Sequence, residues 1–175
     1  VNQGLKVGVI YLEEGVVRSA RRLIGMHCNT PLHLPGNEVT QEVFDEAFNA
    51  TVGTGRLFAW DHFGSVDNQL LANRVRYMRH AFGVEVVVLD HISMVVSGSD
   101  MDADERRLLD QAMTTLRTLC QETGLTIHNV SHLNRRGGDK PHEEGAHVTL
   151  ANLRGSQAIG QLSDAVIAAE RNQQA

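Results

Sequence analysis

The stretch Val84-Glu85-Val86-Val87-Val88-Leu89-Asp90-His91 decides the architecture. Its apolar run is continuous rather than alternating and is rich in β-branched side chains. That pattern predicts a central parallel strand covered on both faces, over residues 84–90. The run ends on a carboxylate, Asp90, with an imidazole directly behind it. Gly83, just before it, closes an amphipathic helix predicted over residues 67–82, with Asp67 as N-cap.

Working outward, strand-like and helix-like periods alternate. Residues 5–12 form a short apolar run and predict a buried strand. Residues 14–27 predict a helix with Val17, Ala20, Leu23, Ile24 and Cys28 on one face. A loop with two prolines spans 29–37, a helix follows over 39–50, and a second strand over 56–62. Downstream of Asp90 the expected order is a Gly/Ser/Asp loop at 97–104, a long helix at 105–123 closed by Gly124, and a strand at 125–131. A polar loop follows at 133–145, then a short strand at 148–150, a short helix at 157–162 and a last strand at 164–170. Such alternation implies an α/β fold, a mostly parallel sheet with helices on both faces. No composition shift marks a boundary inside the chain.

Bulk composition sets limits. The chain has 175 residues, 42% hydrophobic and 21% charged, which suits one globular unit with a real core. A formal net charge of −5 requires any nucleic-acid contact to come from a local basic patch. One tryptophan, Trp60, and a 5% aromatic share argue against an aromatic base-stacking platform. The two cysteines, Cys28 and Cys120, read as buried free thiols in a reducing compartment. No apolar run reaches the length of a membrane span.

In open α/β sheets ligands bind at the carboxyl ends of the strands. After the first strand come Glu13 and Glu14, the third ends in Asp90-His91, and the fourth in Ser131-His132. An apolar strand ending in aspartate has the form of a Walker B element, whose carboxylate holds Mg²⁺ beside nucleotide phosphates. It is also a common way to cap a turn. Glu13 or Glu14 at the same rim can orient or deprotonate an attacking water; alternatively both merely open the next helix, where negative charge suits the dipole. His132 is placed to hydrogen-bond a terminal phosphate, or is simply a surface imidazole. Asn134, Arg135, Arg136 and Lys140 surround a Gly-Gly pair and make the best local phosphate-binding candidate, against the plainer reading of a solvated loop. His62, His91 and His142 show no metal-ligand spacing among themselves, so no zinc is assigned. No Gly-x-x-x-x-Gly-Lys-Ser/Thr occurs in the 175 residues.

Taken in order, Tyr11-Leu12-Glu13-Glu14, Leu23-Ile24-Gly25, Val88-Leu89-Asp90-His91-Ile92-Ser93, Ser131-His132-Leu133, His142-Glu143-Glu144-Gly145, Leu153-Arg154-Gly155-Ser156, Gln161-Leu162-Ser163-Asp164 and Glu170-Arg171-Asn172 closely resemble the helicase domain of phage bifunctional primase–helicases and their mitochondrial relative. These belong to the RecA-like hexameric replicative helicases. The resemblance implies a RecA-like P-loop NTPase core that lacks its phosphate-loop strand and helix, a single partial motor domain over 1–175 cut at both ends. It implies Glu13 as catalytic base, Asp90 at Mg²⁺ through water, and His132 as γ-phosphate sensor. Asn134, Arg135, Arg136 and Lys140 would face single-stranded DNA. Arg154 and Gln161 would lie in the segment coupling nucleotide state to DNA, with Gln161 and Arg171 also at the nucleotide. The implied cofactor and substrate are Mg²⁺ and an NTP, ATP or dTTP. The implied partners are single-stranded DNA, further copies in a hexameric ring, a linked primase and a replisome polymerase, with no membrane. The implied setting is the cytoplasm of a phage-infected bacterium, the mitochondrial matrix being the alternative.

Some residues depart from that pattern. His128 and Asn129 stand in the fourth strand where apolar residues are expected, so they need buried partners or a less buried strand. Gly160 stands where a basic residue would be unsurprising. A sheet without the phosphate-loop strand has an empty central position, so weak stability and no NTPase activity are expected of these residues alone. Two other functions fit the residues: a non-catalytic DNA-binding or oligomerisation module, and a RecA-like recombination or repair ATPase.

Overall fold

The computed structural model describes residues 1–95, 102–133, 147–153 and 157–170, with the side chains of 102–105 excepted. Its elements in chain order are β1 (Val7–Tyr11), α1 (Val16–His27), α2 (Gln41–Ala50), β2 (Leu57–Ala59), α3 (Asn68–Phe82), β3 (Val86–Asp90), α4 (Asp102–Thr123), β4 (Thr126–Asn129) and α5 (Ala158–Leu162). The four strands make one all-parallel sheet in the order β2-β1-β3-β4.

That order follows from connection handedness. The crossover from β1 to β2 runs one way along the sheet and those from β2 to β3 and β3 to β4 run the other. Right-handed crossovers therefore put α1 and α2 on one face and α3 and α4 on the opposite one. The α3/α4 face is closed: Ile10 and Leu12, with Val87 and Leu89 of β3, pack against Leu71, Val75 and Met78 of α3 and Leu109, Leu116 and Leu119 of α4. Gly8 lies on this face because Met78 crosses it; a Cβ there would stand 2.9 Å from the Met78 sulfur.

The other face is more open than the continuous valine run predicts. Val86 and Val88 are half-buried, while Val87 and Leu89 are buried. Val7, Val9, Tyr11, Leu57 and Val88 border an open cavity of about 710 Å³ beneath Leu23 and Met26 of α1. Helix α1 packs instead on α2, in a second cluster of Ile24, Leu32 and Ala47 joined by Cys28 and Phe44. This contact engages its C-terminal half, so Val17, expected on the buried side, is exposed. Gly25 is the close-approach point: a Cβ would meet the Thr30 carbonyl oxygen at 2.3 Å.

Helix α3 has the predicted ends. The Asp67 carboxylate accepts from the Leu70 N–H at 2.9 Å, and Gly83 adopts the left-handed conformation with its N–H on Arg79 and Met78 carbonyls. Both cysteines are free but half-buried rather than buried. Strand β4 is an edge of the described sheet, and His128 is exposed on it while Asn129 reaches the Met113 sulfur at 3.5 Å. A less buried strand thus accommodates both polar residues. The four strands pair without a gap, so the expected central vacancy does not fall between β2 and β4.

Two predicted strands are absent among the described residues. At 148–150 the backbone N–H groups are taken by side chains: Val148 donates to Glu170 and Thr149 to Asn152, the latter opening a 3-10 turn at Leu150–Asn152. Residues 164–170 are exposed and pair with no described strand, with Ile167 left 92% exposed. A short apolar run favours an extended chain, but a strand also needs a partner strand beside it, and neither segment lies paired with one among the described residues.

Replacing Asp67 with alanine removes the cap of α3. Urea unfolding is expected to show a loss of about 1 kcal/mol without a change in slope. Gly25→Ala is expected to cost more, about 1–3 kcal/mol, because the obstruction is backbone.

Candidate active site at the β1–β3 switch point

The chain leaves β1 in one direction and β3 in the other, so a crevice opens beyond their carboxyl ends. Register sets what reaches it. Tyr11 pairs with Asp90, and the Leu12 N–H donates to the Asp90 carbonyl at 2.7 Å. Leu89 pairs with Asn129, and the Ile92 N–H donates to the Val130 carbonyl at 3.0 Å. Glu13, His91 and His132 emerge side by side from three strand ends.

The two glutamates separate. Glu14 belongs to α1: it accepts from Ser19 Oγ at 2.8 Å and pairs with Arg18 at 3.3 Å and Arg22 at 3.0 Å. It is the helix-opening acid, charge-matched to a helix N-terminus that has no side-chain cap. Glu13 turns to the rim. Its Oε1 lies 2.9 Å from His91 Nε2 and its Oε2 lies 4.0 Å from His132 Nε2. The His91 and His132 rings meet edge to face, centroids 4.1 Å apart. Glu13 and His132 are about half exposed, whereas His91 is 4% exposed.

Asp90 is half-buried at the end of β3, on the same sheet face as Tyr11. Burial first, and then the neighbouring Asp90 and Glu14 charges, hold the Tyr11 phenol above the usual tyrosine range. A single hard carboxylate at a strand end fits Mg²⁺, which keeps most of its waters and takes one or two protein oxygens.

Of the other residues singled out from sequence, Gln161 lies exposed on α5, which packs on α4 through Ile159. Asn134, Arg135, Arg136, Lys140, Arg154 and Arg171 lie outside the described residues. His91 is the site residue that sequence spacing missed. The usable signal was its place directly behind Asp90 on a strand neighbouring the one that delivers Glu13.

A parallel α/β sheet with acid, acid and imidazole at its switch point has the form of a RecA-like core. The comparisons agree: the chain belongs to the DnaB-like helicase C-terminal domain family, whose profile matches residues 1–175. It is 38% identical over 176 aligned positions to a DNA helicase/primase of Enterobacteria phage T3, covering 98% of this chain and 31% of the relative. The chain therefore spans about a third of that relative's length. Among solved structures, a DnaB-like replicative helicase studied for its interactions with primase superposes with a TM-score of 0.72 at 16% identity, over 93% of this chain and 40% of the other. A second solved structure, an ATPase domain, gives 0.70 at 16% identity, over 93% of this chain and 58% of the other. These two likenesses establish the RecA-like fold. No helix among the described residues is long and apolar enough to cross a membrane.

The raised Tyr11 pKa carries a pH signature. The folded state keeps the phenol proton after the unfolded chain has begun to lose it. Stability is therefore fully present below about pH 10, falls as pH climbs through that value, and levels off above the folded pKa. Unfolding curves measured across pH 9–11 are expected to show this fall, and Tyr11→Phe is expected to reduce it, the remainder belonging to Cys120, whose thiol is also held above its usual range by burial.

Proposed function

We propose that the chain is the NTP-hydrolysing motor segment of a phage replicative DNA helicase that acts as a hexameric ring on single-stranded DNA. The observation that carries this reading is the convergence of Glu13 and His132 at the strand edge that ends in Asp90, in a chain of the DnaB-like family.

In this reading Glu13 takes the proton of the attacking water. It is the rim carboxylate not engaged by the arginines of α1. Asp90 holds the Mg²⁺ position through water, and the ion supplies charge neutralisation at the β- and γ-phosphates of ATP or dTTP. His132, half exposed beside Glu13, hydrogen-bonds the γ-phosphate and registers its loss. It stands at the head of the segment carrying Asn134, Arg135, Arg136 and Lys140, which contact DNA phosphates. Arg154 and Gln161 couple that segment to the nucleotide, and Gln161 and Arg171 border it. A nucleotide-driven loop displacement of this kind is a known switching device.

The phosphate-gripping loop is not in these residues, so a neighbouring part of the polypeptide has to supply it. A linked primase and a replisome polymerase are the further partners, in the cytoplasm of an infected bacterium.

In a chain that joins residues 1–175 to a phosphate loop, Glu13→Gln is expected to lower NTP hydrolysis at least ~100-fold while nucleotide binding persists. Asp90→Asn is expected to raise the Mg²⁺ requirement. Hydrolysis by Glu13→Gln close to the unsubstituted rate contradicts the assignment. Residues 1–175 alone are expected to show no NTPase activity in a phosphate-release assay, and robust turnover by them contradicts the need for the added loop.

A further inference from the structure

We propose that Glu13, His91 and His132 form a binding site for a d-block divalent cation, Zn²⁺ above all, separate from the Mg²⁺ position at Asp90. One ligand atom from each residue lies within 4.8 Å of the others. Around tetrahedral zinc, with bonds of about 2.0–2.1 Å, ligand atoms stand roughly 3.3 Å apart. Glu13 reaches His91 Nε2 through Oε1 at 2.9 Å and His132 Nε2 through Oε2 at 4.0 Å, so its carboxylate lies between the two rings. Side-chain rotation has to bring the three ligand atoms from within 4.8 Å to the tetrahedral spacing.

His91 gives the second, independent reason. At 4% exposure, neither of its ring nitrogens has a hydrogen bond of acceptable geometry. The Glu13 oxygen is close to Nε2 but does not meet the angle of a hydrogen bond. Buried imidazole nitrogens are normally satisfied. A cation bound at Nε2 satisfies that atom, with Glu13 completing the contact.

The donor set selects the metal. Two imidazoles and one carboxylate suit Zn²⁺, Co²⁺ and Ni²⁺, whereas Mg²⁺ prefers oxygen ligands. Three protein ligands leave one tetrahedral position open towards solvent, where Glu13 and His132 are half exposed. The ligands come from the ends of β1, β3 and β4, so no short sequence spacing announces them. Binding stands apart from the hydrolysis reading. Its consequence rests on that reading: a cation on the Glu13 carboxylate withholds it from the attacking water and slows turnover.

The test is titration of the chain with Co²⁺ in a large excess of Mg²⁺, followed by visible absorption. The expected result is one Co²⁺ per chain with the intense bands of a low-coordinate site, displaced by Zn²⁺. His132→Asn, at an exposed position, and His91→Asn are each expected to weaken binding at least ~100-fold, with circular dichroism checking the fold. His80→Asn, elsewhere on the surface, is expected to change nothing. If His91→Asn does not fold, His132→Asn still decides. A weak six-coordinate spectrum, or binding that survives His132→Asn, overturns the site. Intact binding without slowed turnover in the hydrolysing protein overturns the role of Glu13 as base and leaves the site standing.

Discussion

The in-register parallel pairing of β1 with β3 is the constraint on which the rest depends. Tyr11 stands opposite Asp90, so the two chains leave the sheet at the same level. Ile10 and Leu89 are buried together against α3 and α4, so a slip of one residue between the strands would turn one of them to the open face. The apolar face thus fixes the height of the polar rim. Core packing and site geometry are one statement: the residues that bury Ile10 and Leu89 also bring Glu13 to His91.

Topology adds the second half. Because β2 lies on one side of β1 and β3 on the other, the crevice at their carboxyl ends is not crossed by a connection. Strand β4 then continues the sheet on the β3 side and delivers His132 to the same edge. The two faces are unequal. One is sealed by α3 and α4, and the other retains a large open cavity under α1. The polar rim is therefore held by one tightly packed layer rather than by two.

Much of this was legible in the chain itself, and the limits were physical. The run of three valines and Leu89 announced a central strand because so little else buries continuous β-branched residues. Asp67 and Gly83 announced both ends of α3 because capping is local chemistry. The division of labour between Glu13 and Glu14 was not legible from the residues alone, only through the family resemblance, since it depends on Arg18, Arg22 and Ser19 meeting Glu14 at the start of a helix. Grouping His91 with His132 was not legible from spacing, because 41 positions separate them and only register joins them. Residues 148–150 and 164–170 look like strands by composition, yet a ladder needs a partner strand alongside, and neither segment has one among the described residues. There, Glu170 and Asn152 side chains take the N–H groups of Val148 and Thr149 instead.

The central claim is that three strand ends bring Glu13, His91 and His132 into mutual contact. Nitrogen-15 NMR of the imidazole rings tests it most directly, comparing the unsubstituted chain with Glu13→Gln. Of the nine histidines, the ring signals of His91 and His132 are expected to move together while the rest stay in place. If neither moves, Glu13 does not face them, and the shared rim on which the account is built does not exist.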